Sequence, residues 1–186
     1  VWHYQETPGD NWDFTSTQPM ILADLTLDGK KRKVILHAPK NGFFFIIDRT
    51  NGKFISAKNF VDVNWATGYD KNGRPIETDI ARTADRPREI IPSAFGARNW
   101  HSMSFNPKTG LVYMPVQGVP LTLMDNKNWN FNGVRPGEPH SNMGWNLATF
   151  ANVEPPSSKP FGRLVAWDPV KQQARWTVEH VSPWNG

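Results

Sequence analysis

Two Asn-Gly pairs divide the first third of the chain into short apolar runs, and they constrain its fold more than any other feature. The β-rich runs around these pairs lie at residues 32–38, 43–47 and 54–57, with the pairs at 41–42 and 51–52. Because Asn and Gly both tolerate a positive φ, an Asn-Gly pair favours a β-hairpin turn. The spacing therefore predicts three consecutive antiparallel strands, and the run at 20–25 adds a fourth. A four-stranded meander of this kind is the unit of a β-propeller blade.

A second set of short runs predicts another meander towards the end of the chain. These runs lie at residues 100–105, 111–116, 163–168 and 174–178. Two long excursions interrupt the pattern, at 59–92 and at about 125–160, and Trp129 and Trp145 in the second one indicate an ordered lid. No stretch shows helical periodicity beyond a turn or two. The sequence thus predicts an all-β fold, a partial β-propeller of about two four-stranded antiparallel blades with long inter-strand loops.

Composition excludes several functional classes. The 21 Lys and Arg residues exceed the 17 Asp and Glu residues by only four, and the basic cluster at 30–33 follows a turn at Asp28-Gly29. Such a cluster is more typical of a solvated hairpin, so no nucleic-acid partner is expected. The chain has no cysteine, which excludes a disulfide framework, a thiolate metal site and attached haem within this segment. No apolar run approaches the length of a membrane span.

Other well-known motifs are missing from the sequence. The five histidines show no metal-ligand spacing, and we expect the isolated ones to be hydrogen-bonded strand or loop residues. Neither Gly-x-Gly-x-x-Gly nor Gly-x-Ser-x-Gly is present, so nicotinamide and serine-hydrolase chemistry lack support. The chain begins at Val1 without Met and ends in site-like sequence. We therefore expect it to be an internal piece of a longer protein.

The loop at residues 9–18 is the first candidate for chemistry. It carries two carboxylates, Asp10 and Asp13, around Trp12, and the apolar run at 20–25 follows it. A loop before a strand delivers side chains to the rim of a sheet, where a carboxylate can serve as a general base. The alternative is that Asp10 and Asp13 only hydrogen-bond a turn. Trp12 is open to two interpretations as well, a wall that excludes water or a core residue.

A motif near the end of the chain resembles one found in a known family. Ala166-Trp167-Asp168 followed by Trp176 is similar to the tryptophan-docking motif, AxDxxTGKxxW, of eight-bladed quinoprotein propellers. Gln172 and Gln173 stand where that motif usually has Gly and Lys. The stretch from residue 4 to residue 42 resembles the quinohaemoprotein alcohol dehydrogenases in particular. This resemblance implies that residues 1–186 are part of a single β-propeller domain that binds pyrroloquinoline quinone (PQQ), with the remaining blades and any cytochrome c domain outside this chain.

The same resemblance implies roles for five residues. Asp13 corresponds to the catalytic base of the family and would also be a ligand of the calcium ion. Lys40 corresponds to the basic residue that contacts the quinone oxygens of PQQ. Asn99 and Trp100 match an Asn-Trp contact to the cofactor, and Trp184 matches a further cofactor contact.

The activity implied by the resemblance is the oxidation of primary alcohols to aldehydes. Asp13 would take the hydroxyl proton while hydride passes to PQQ, with calcium as the Lewis acid. The resemblance also implies haem c in the missing part of the parent chain, a cytochrome-type electron acceptor and a periplasmic location, with this segment inactive alone. Thr15 stands where lanthanide-dependent members carry a second carboxylate, so calcium is expected. The alternative function is a non-catalytic propeller segment that binds glycan or protein through aromatic loops.

Overall fold

The computed structural model describes residues 1–124 and 157–184, and these residues form twelve β-strands. In chain order the strands are β1 (Ile21–Leu27), β2 (Lys30–His37), β3 (Phe43–Asp48), β4 (Phe54–Asn59), β5 (Ala66–Tyr69), β6 (Pro75–Glu77), β7 (Arg88–Ile90), β8 (Ser104–Asn106), β9 (Leu111–Gly118), β10 (Leu121–Leu123), β11 (Phe161–Asp168) and β12 (Gln173–Glu179). In this part of the chain there is no helix long and apolar enough to cross a membrane.

The first predicted meander is confirmed. Strands β1 to β4 form one antiparallel sheet in the order β1-β2-β3-β4. The tightest turn of this sheet lies at Asp28-Gly29, where φ is 49° and 74° and Leu27 pairs with Lys30. A two-residue type I′ hairpin requires a positive φ at both positions. At Asn41-Gly42 only the glycine has a positive φ, 89°, so this pair closes a longer connection rather than a two-residue hairpin.

The second predicted meander is also confirmed, with one correction. Its four strands lie in the order β12-β11-β9-β8. The prediction of a strand over 100–105 was wrong at its start, because β8 begins only at Ser104. The main-chain oxygen of His101 accepts a hydrogen bond of 2.8 Å from the side chain of Arg98, and this contact holds the preceding residues in a turn.

The excursion predicted over 59–92 is partly β-structure. Strands β5 and β6 form a hairpin, and β7 pairs with β10. These strands have three or four residues each, which is too short for an alternating pattern to be visible in the sequence. In the second excursion, residues 125–156 with Trp129 and Trp145 lie outside the described residues, so the ordered lid stays a prediction.

Strand β3 is buried on both faces and separates two hydrophobic clusters. Phe44 and Ile46 face the first cluster, which includes residues of both four-stranded sheets. The two sheets therefore pack face to face, as neighbouring blades of a propeller do. Phe43 and Phe45 face the second cluster. The apolar members that this second cluster takes from outside β3 are Trp12, Phe14, Trp65, Ala66, Ala81, Ile90 and Leu123.

Candidate functional site

The loop that carries the candidate base is shaped by Asp10. Its Oδ1 accepts the main-chain N–H of Trp12 and its Oδ2 accepts that of Phe14, both at 2.9 Å. Burial raises the pKa of Asp10 above its usual range, although the two N–H groups act in the opposite direction. Both oxygens of Asp10 are therefore used inside the loop, and this carboxylate takes the turn-forming role that the sequence left open for it.

Trp12 belongs to the hydrophobic core. Its indole Nε1 donates a 2.7 Å hydrogen bond to the main-chain oxygen of Ala81, and its ring packs against Phe14 and Trp65 at centroid distances of 5.5 Å and 4.9 Å. Of the two interpretations of Trp12, core packing is the one that the structure shows. Because Trp12 is anchored, the next residue is held at a fixed place on the rim of the sheet.

Asp13 has an unusual backbone conformation. Its φ is 64°, in the left-handed region that few residues other than glycine adopt. The two neighbouring side chains, Trp12 and Phe14, are buried, whereas 33% of the Asp13 side chain is exposed. The left-handed conformation thus turns one carboxylate outward between two anchored aromatic residues. Strained backbone of this kind is concentrated at functional sites.

The structure brings Lys40 to Asp13. Lys40 Nζ donates to Asp13 Oδ2 and to the main-chain oxygen of Asp13, each at 3.0 Å. The hydroxyl of Thr15 donates to the other carboxylate oxygen, Oδ1, at 3.2 Å. Lys40 is buried, although a lysine on a turn is normally exposed. Two residues that the sequence singled out, 27 positions apart, therefore form one ion pair.

The turn at residues 93–98 packs against the backbone and the aliphatic stem of Lys40. The main-chain N–H of Ala97 donates to the main-chain oxygen of Lys40 at 2.9 Å. At Gly96, where φ is 79°, an added Cβ would come within 2.4 Å of Lys40 Cγ. The turn and the lysine stem are therefore in close contact, and only glycine fits at this position.

Asn99 lies just after this turn and has an unsatisfied acceptor. Its amide Nδ2 donates to the main-chain oxygen of Phe95 at 3.1 Å, an oxygen that also accepts from Gln117 Nε2 at 3.0 Å. Asn99 Oδ1 is buried and has no hydrogen-bond partner within the described ranges 1–124 and 157–184. A buried acceptor without a donor costs about 1–3 kcal/mol, so the amide is a place where a ligand N–H or O–H would bind.

The two predicted aromatic contacts are exposed. Trp100 is 85% exposed and Trp184 is 54% exposed. Trp184 meets the ring of Phe95 edge-on, with 5.2 Å between the centroids, so it lies at the same turn as Asn99. No described contact joins Trp100 to Asp13 or Lys40. Both indoles are available to a ligand, and their cofactor contacts stay predictions.

The sequence reasoning missed two buried polar residues near the site. Arg98 is 1% exposed, and nothing in the sequence distinguishes it from an ordinary surface arginine. Glu6 accepts a hydrogen bond from His37 Nδ1 at 2.8 Å, and His37 Nε2 lies 3.0 Å from the main-chain oxygen of Gln18. His37 is thus a hydrogen-bonded strand residue, as expected. Within the described part of the chain, no group of three or more His, Cys, Asp or Glu side chains could hold a metal ion.

Comparison with known proteins supports the family inferred from the motifs. Residues 1–64 match the family described as "PQQ: Glucose/ethanol/alcohol dehydrogenase, beta-propeller domain". Over 185 residues the chain is 70% identical to a quinohemoprotein alcohol dehydrogenase of Comamonas testosteroni, covering all of the chain and 26% of that protein. The chain is homologous to part of a PQQ-dependent alcohol dehydrogenase. The resemblance to the quinohaemoprotein alcohol dehydrogenases is confirmed.

Solved structures confirm the partial propeller. The crystal structure of the Comamonas testosteroni enzyme superposes with a TM-score of 0.90, over the whole chain and 28% of the solved one. A europium-containing methanol dehydrogenase, 28% identical, gives a TM-score of 0.77 over 97% of this chain and 31% of its own. The chain is also 61% identical to a 1-butanol dehydrogenase (cytochrome c) of Thauera butanivorans, over 27% of that protein. It therefore spans about a quarter of the length of these relatives.

Proposed function

We propose that this chain forms the part of a PQQ-dependent alcohol dehydrogenase that supplies the catalytic base and several cofactor contacts. The observation that carries the proposal is the Asp13–Lys40 pair, in which a buried ammonium lies 3.0 Å from a partly exposed carboxylate. A propeller segment that only binds glycan or protein has no use for a left-handed Asp held by a buried Lys. The substrate is a primary alcohol, and the product is the aldehyde.

Asp13 takes the proton of the alcohol hydroxyl. Its Oδ2 accepts from Lys40, and among the described residues its Oδ1 accepts only from the exposed Thr15 hydroxyl, at 3.2 Å. Oδ1 is therefore the oxygen that can accept a proton from a substrate within hydrogen-bond reach. The left-handed backbone and the Lys40 contact hold the carboxylate in place, so little reorganisation is needed when the proton moves.

The side chains present fit PQQ as the cofactor. Bound PQQ would accept hydride from the alcohol carbon. Two of the three N–H donors of Lys40 go to Asp13, so one donor is left for a quinone oxygen. Asn99 Oδ1 is a buried acceptor without a described partner, and Trp100 and Trp184 offer exposed ring surfaces. The positive charge of Lys40 stabilises negative charge that develops on a nearby oxygen.

Calcium fits this site with Asp13 as one ligand. Calcium prefers six to eight oxygen ligands, and carboxylates are the strongest of them. Because the described residues offer no cluster of three acidic or histidine side chains, the other ligands would come from elsewhere in the full-length protein. Bound calcium would act as a Lewis acid beside the base.

The electron-transfer partners and the location follow from the same proposal. One relative is called a quinohemoprotein alcohol dehydrogenase and another a 1-butanol dehydrogenase (cytochrome c). By analogy, haem c lies in another part of the full-length protein, a cytochrome-type acceptor takes the electrons, and the enzyme works in the periplasm. The four-stranded sheets described above belong to a single PQQ-binding β-propeller domain.

Reconstitution tests this function. The full-length protein that contains this chain is prepared without cofactor and refilled with PQQ and calcium, and dye reduction is followed with primary alcohols. We expect alcohol-dependent reduction, and we expect Asp13→Asn to lower kcat by about a hundredfold or more while the protein stays folded. The matched control is Asp62→Asn, at an exposed carboxylate. An Asp13→Asn protein with wild-type kcat, or a wild type inactive with every primary alcohol, would exclude the proposal.

A further inference from the structure

Arg98 is a buried cation, and none of the carboxylates that the structure describes forms an ion pair with it. Its side chain is 1% exposed, and within residues 1–124 and 157–184 no ion pair involves it. Burial lowers the pKa of Arg98 to about 10, which reflects the cost of removing the guanidinium from water. A buried charge persists only where hydrogen bonds compensate for lost hydration. The position of those bonds therefore indicates what the residue does.

The three nitrogens of the guanidinium each donate to a main-chain oxygen. Nε donates to Ala38 at 2.7 Å, Nη1 to His101 at 2.8 Å and Nη2 to Pro19 at 3.3 Å. These oxygens belong to three separate segments of the chain. Two of these segments carry a residue of the candidate site within two positions, and the third is the loop that contains Asp13.

The three segments carry the site residues at short range. Ala38 precedes Lys40 by two positions, and His101 follows Asn99 by two. Pro19 follows Asp13 by six positions, at the end of the N-terminal loop and just before β1. One planar side chain thus connects the base, the lysine and the amide through their backbones.

We propose that Arg98 is a positioning residue, which fixes the separation of Asp13, Lys40 and Asn99 by holding these three backbone segments together. This inference rests on the proposed function of the site. The guanidinium is suited to the role because it is rigid and donates in three directions at fixed angles. A lysine at position 98 would keep the charge but would concentrate its donors on a single nitrogen, so it could not reach all three oxygens.

The surroundings of Arg98 transmit its position to the site. Ala97 N–H donates to the main-chain oxygen of Lys40 at 2.9 Å, and the main-chain oxygen of Ala97 accepts from Gln117 N–H at 2.8 Å. A Cβ added at Gly96 would lie 2.9 Å from the main-chain oxygen of Arg98, so the backbone of this turn is closely packed. A shift of about 1 Å in a positioning element can cost about a hundredfold in rate.

The test compares Arg98→Lys and Arg98→Gln with wild type in the full-length protein. PQQ affinity is measured by tryptophan quenching on cofactor-free protein, together with the melting temperature of that form and with kcat and KM after reconstitution. We expect both variants to weaken PQQ binding and to lower kcat by about tenfold or more, with alcohol KM changed less than about threefold. Arg49→Lys, at an exposed ion pair with Asp24, is the matched control. It should change neither the PQQ affinity nor kcat.

Several outcomes would overturn the inference. Wild-type PQQ affinity and kcat in Arg98→Lys would show that a positive charge at position 98 is enough and that the three guanidinium hydrogen bonds do not position the site. A lower melting temperature with unchanged PQQ affinity and kcat in the folded protein would make Arg98 a purely structural residue, and failure of both variants to fold would do the same. Failure of the proposed function is a separate result, because the wild type itself would then show no PQQ-dependent alcohol oxidation.

Discussion

Lys40 Nζ lies 3.0 Å from the carboxylate oxygen Oδ2 of Asp13 and 3.0 Å from the main-chain oxygen of the same residue. One ammonium group therefore fixes both the side chain and the left-handed backbone of Asp13. The contact joins β2's C-terminal connection to the N-terminal loop, which are separate in sequence. Lys40 is therefore one of the groups that set the geometry of the base, together with the anchored Trp12 beside it.

The first prediction concerns the charge of Lys40. In the reconstituted full-length protein, Lys40→Met should lower kcat by about a hundredfold, because a preorganised cation beside developing negative charge is lost. The Asp13 main-chain oxygen also loses its donor. Lys58→Met, at an exposed residue of β4, is the control. Wild-type kcat in Lys40→Met, measured by steady-state dye reduction, would show that Lys40 has no part in the chemistry.

The second prediction concerns the metal and depends on Thr15. The Thr15 hydroxyl donates to Asp13 Oδ1 at 3.2 Å, so both side chains lie on the same side of the loop. Thr15→Asp should add a carboxylate ligand and shift metal preference towards lanthanides, because trivalent ions favour more anionic oxygen ligands. The measurement is alcohol oxidation by metal-stripped protein refilled with calcium or with lanthanum. Higher activity with lanthanum in the unmodified protein would contradict the assignment of calcium.

The third prediction concerns the different effects of replacing exposed tryptophans, Trp100 and Trp184, and the buried Trp12. Trp100→Ala and Trp184→Ala should weaken PQQ binding by about tenfold while the cofactor-free protein melts as wild type, because exposed rings contribute stacking surface rather than core packing. Trp12→Phe should instead lower the melting temperature, since it removes the hydrogen bond to Ala81 and leaves a buried acceptor unsatisfied. Unchanged PQQ affinity in both alanine variants would remove these two tryptophans from the cofactor site.

The fourth prediction is a pH dependence at Tyr69. Its hydroxyl donates to the main-chain oxygen of Glu6 at 2.6 Å and accepts from Asn41 Nδ2 at 3.2 Å. Burial raises the pKa of Tyr69 well above its ordinary value of 10.0. Above pH 10 the unfolded chain releases the phenol proton, whereas the folded protein keeps it. The stability that Tyr69 contributes is therefore complete below pH 10 and falls as the pH rises further, by about 1.4 kcal/mol per unit.

Denaturant unfolding of wild type and Tyr69→Phe at pH 8 and above pH 10 measures this effect. At pH 8 the variant should be less stable by about 1–3 kcal/mol, because the Glu6 oxygen loses its donor. The difference in unfolding free energy between wild type and Tyr69→Phe should become smaller above pH 10. Wild type loses stability there, whereas phenylalanine has no proton to release. A constant difference between the two conditions would contradict the assignment.

The fifth prediction concerns residues 1–186 expressed alone. All seven residues of β12 are exposed, and an edge strand of this kind leaves its backbone groups without partners. We expect no cooperative near-ultraviolet melt, no stoichiometric PQQ binding and no alcohol oxidation from this segment. A sharp melt together with tight PQQ binding at one equivalent would show that the segment is self-sufficient.

The four-stranded sheets could be predicted from the sequence because their signals are local. Alternating apolar runs and turn residues lie within a few positions of each other, and they placed β1 to β4, β9, β11 and β12 correctly to within a few residues. The shorter strands β5, β6, β7 and β10 could not be predicted, because three or four residues carry no readable period. Their pairing depends on backbone contacts between distant parts of the chain.

The site divides in the same way. The sequence predicted Asp13, Lys40 and Asn99 as site residues through the motifs that it shares with the family. The tertiary structure alone decided that Asp13 is left-handed, that Lys40 is buried against Gly96, and that Arg98 lies at the junction of three segments. Most of the contacts behind these properties join distant parts of the chain, such as Lys40 with Asp13 over 27 positions and Arg98 with Pro19 over 79. A residue's burial and hydrogen-bond partners are set by whatever the fold places beside it, and its immediate neighbours in sequence do not encode that.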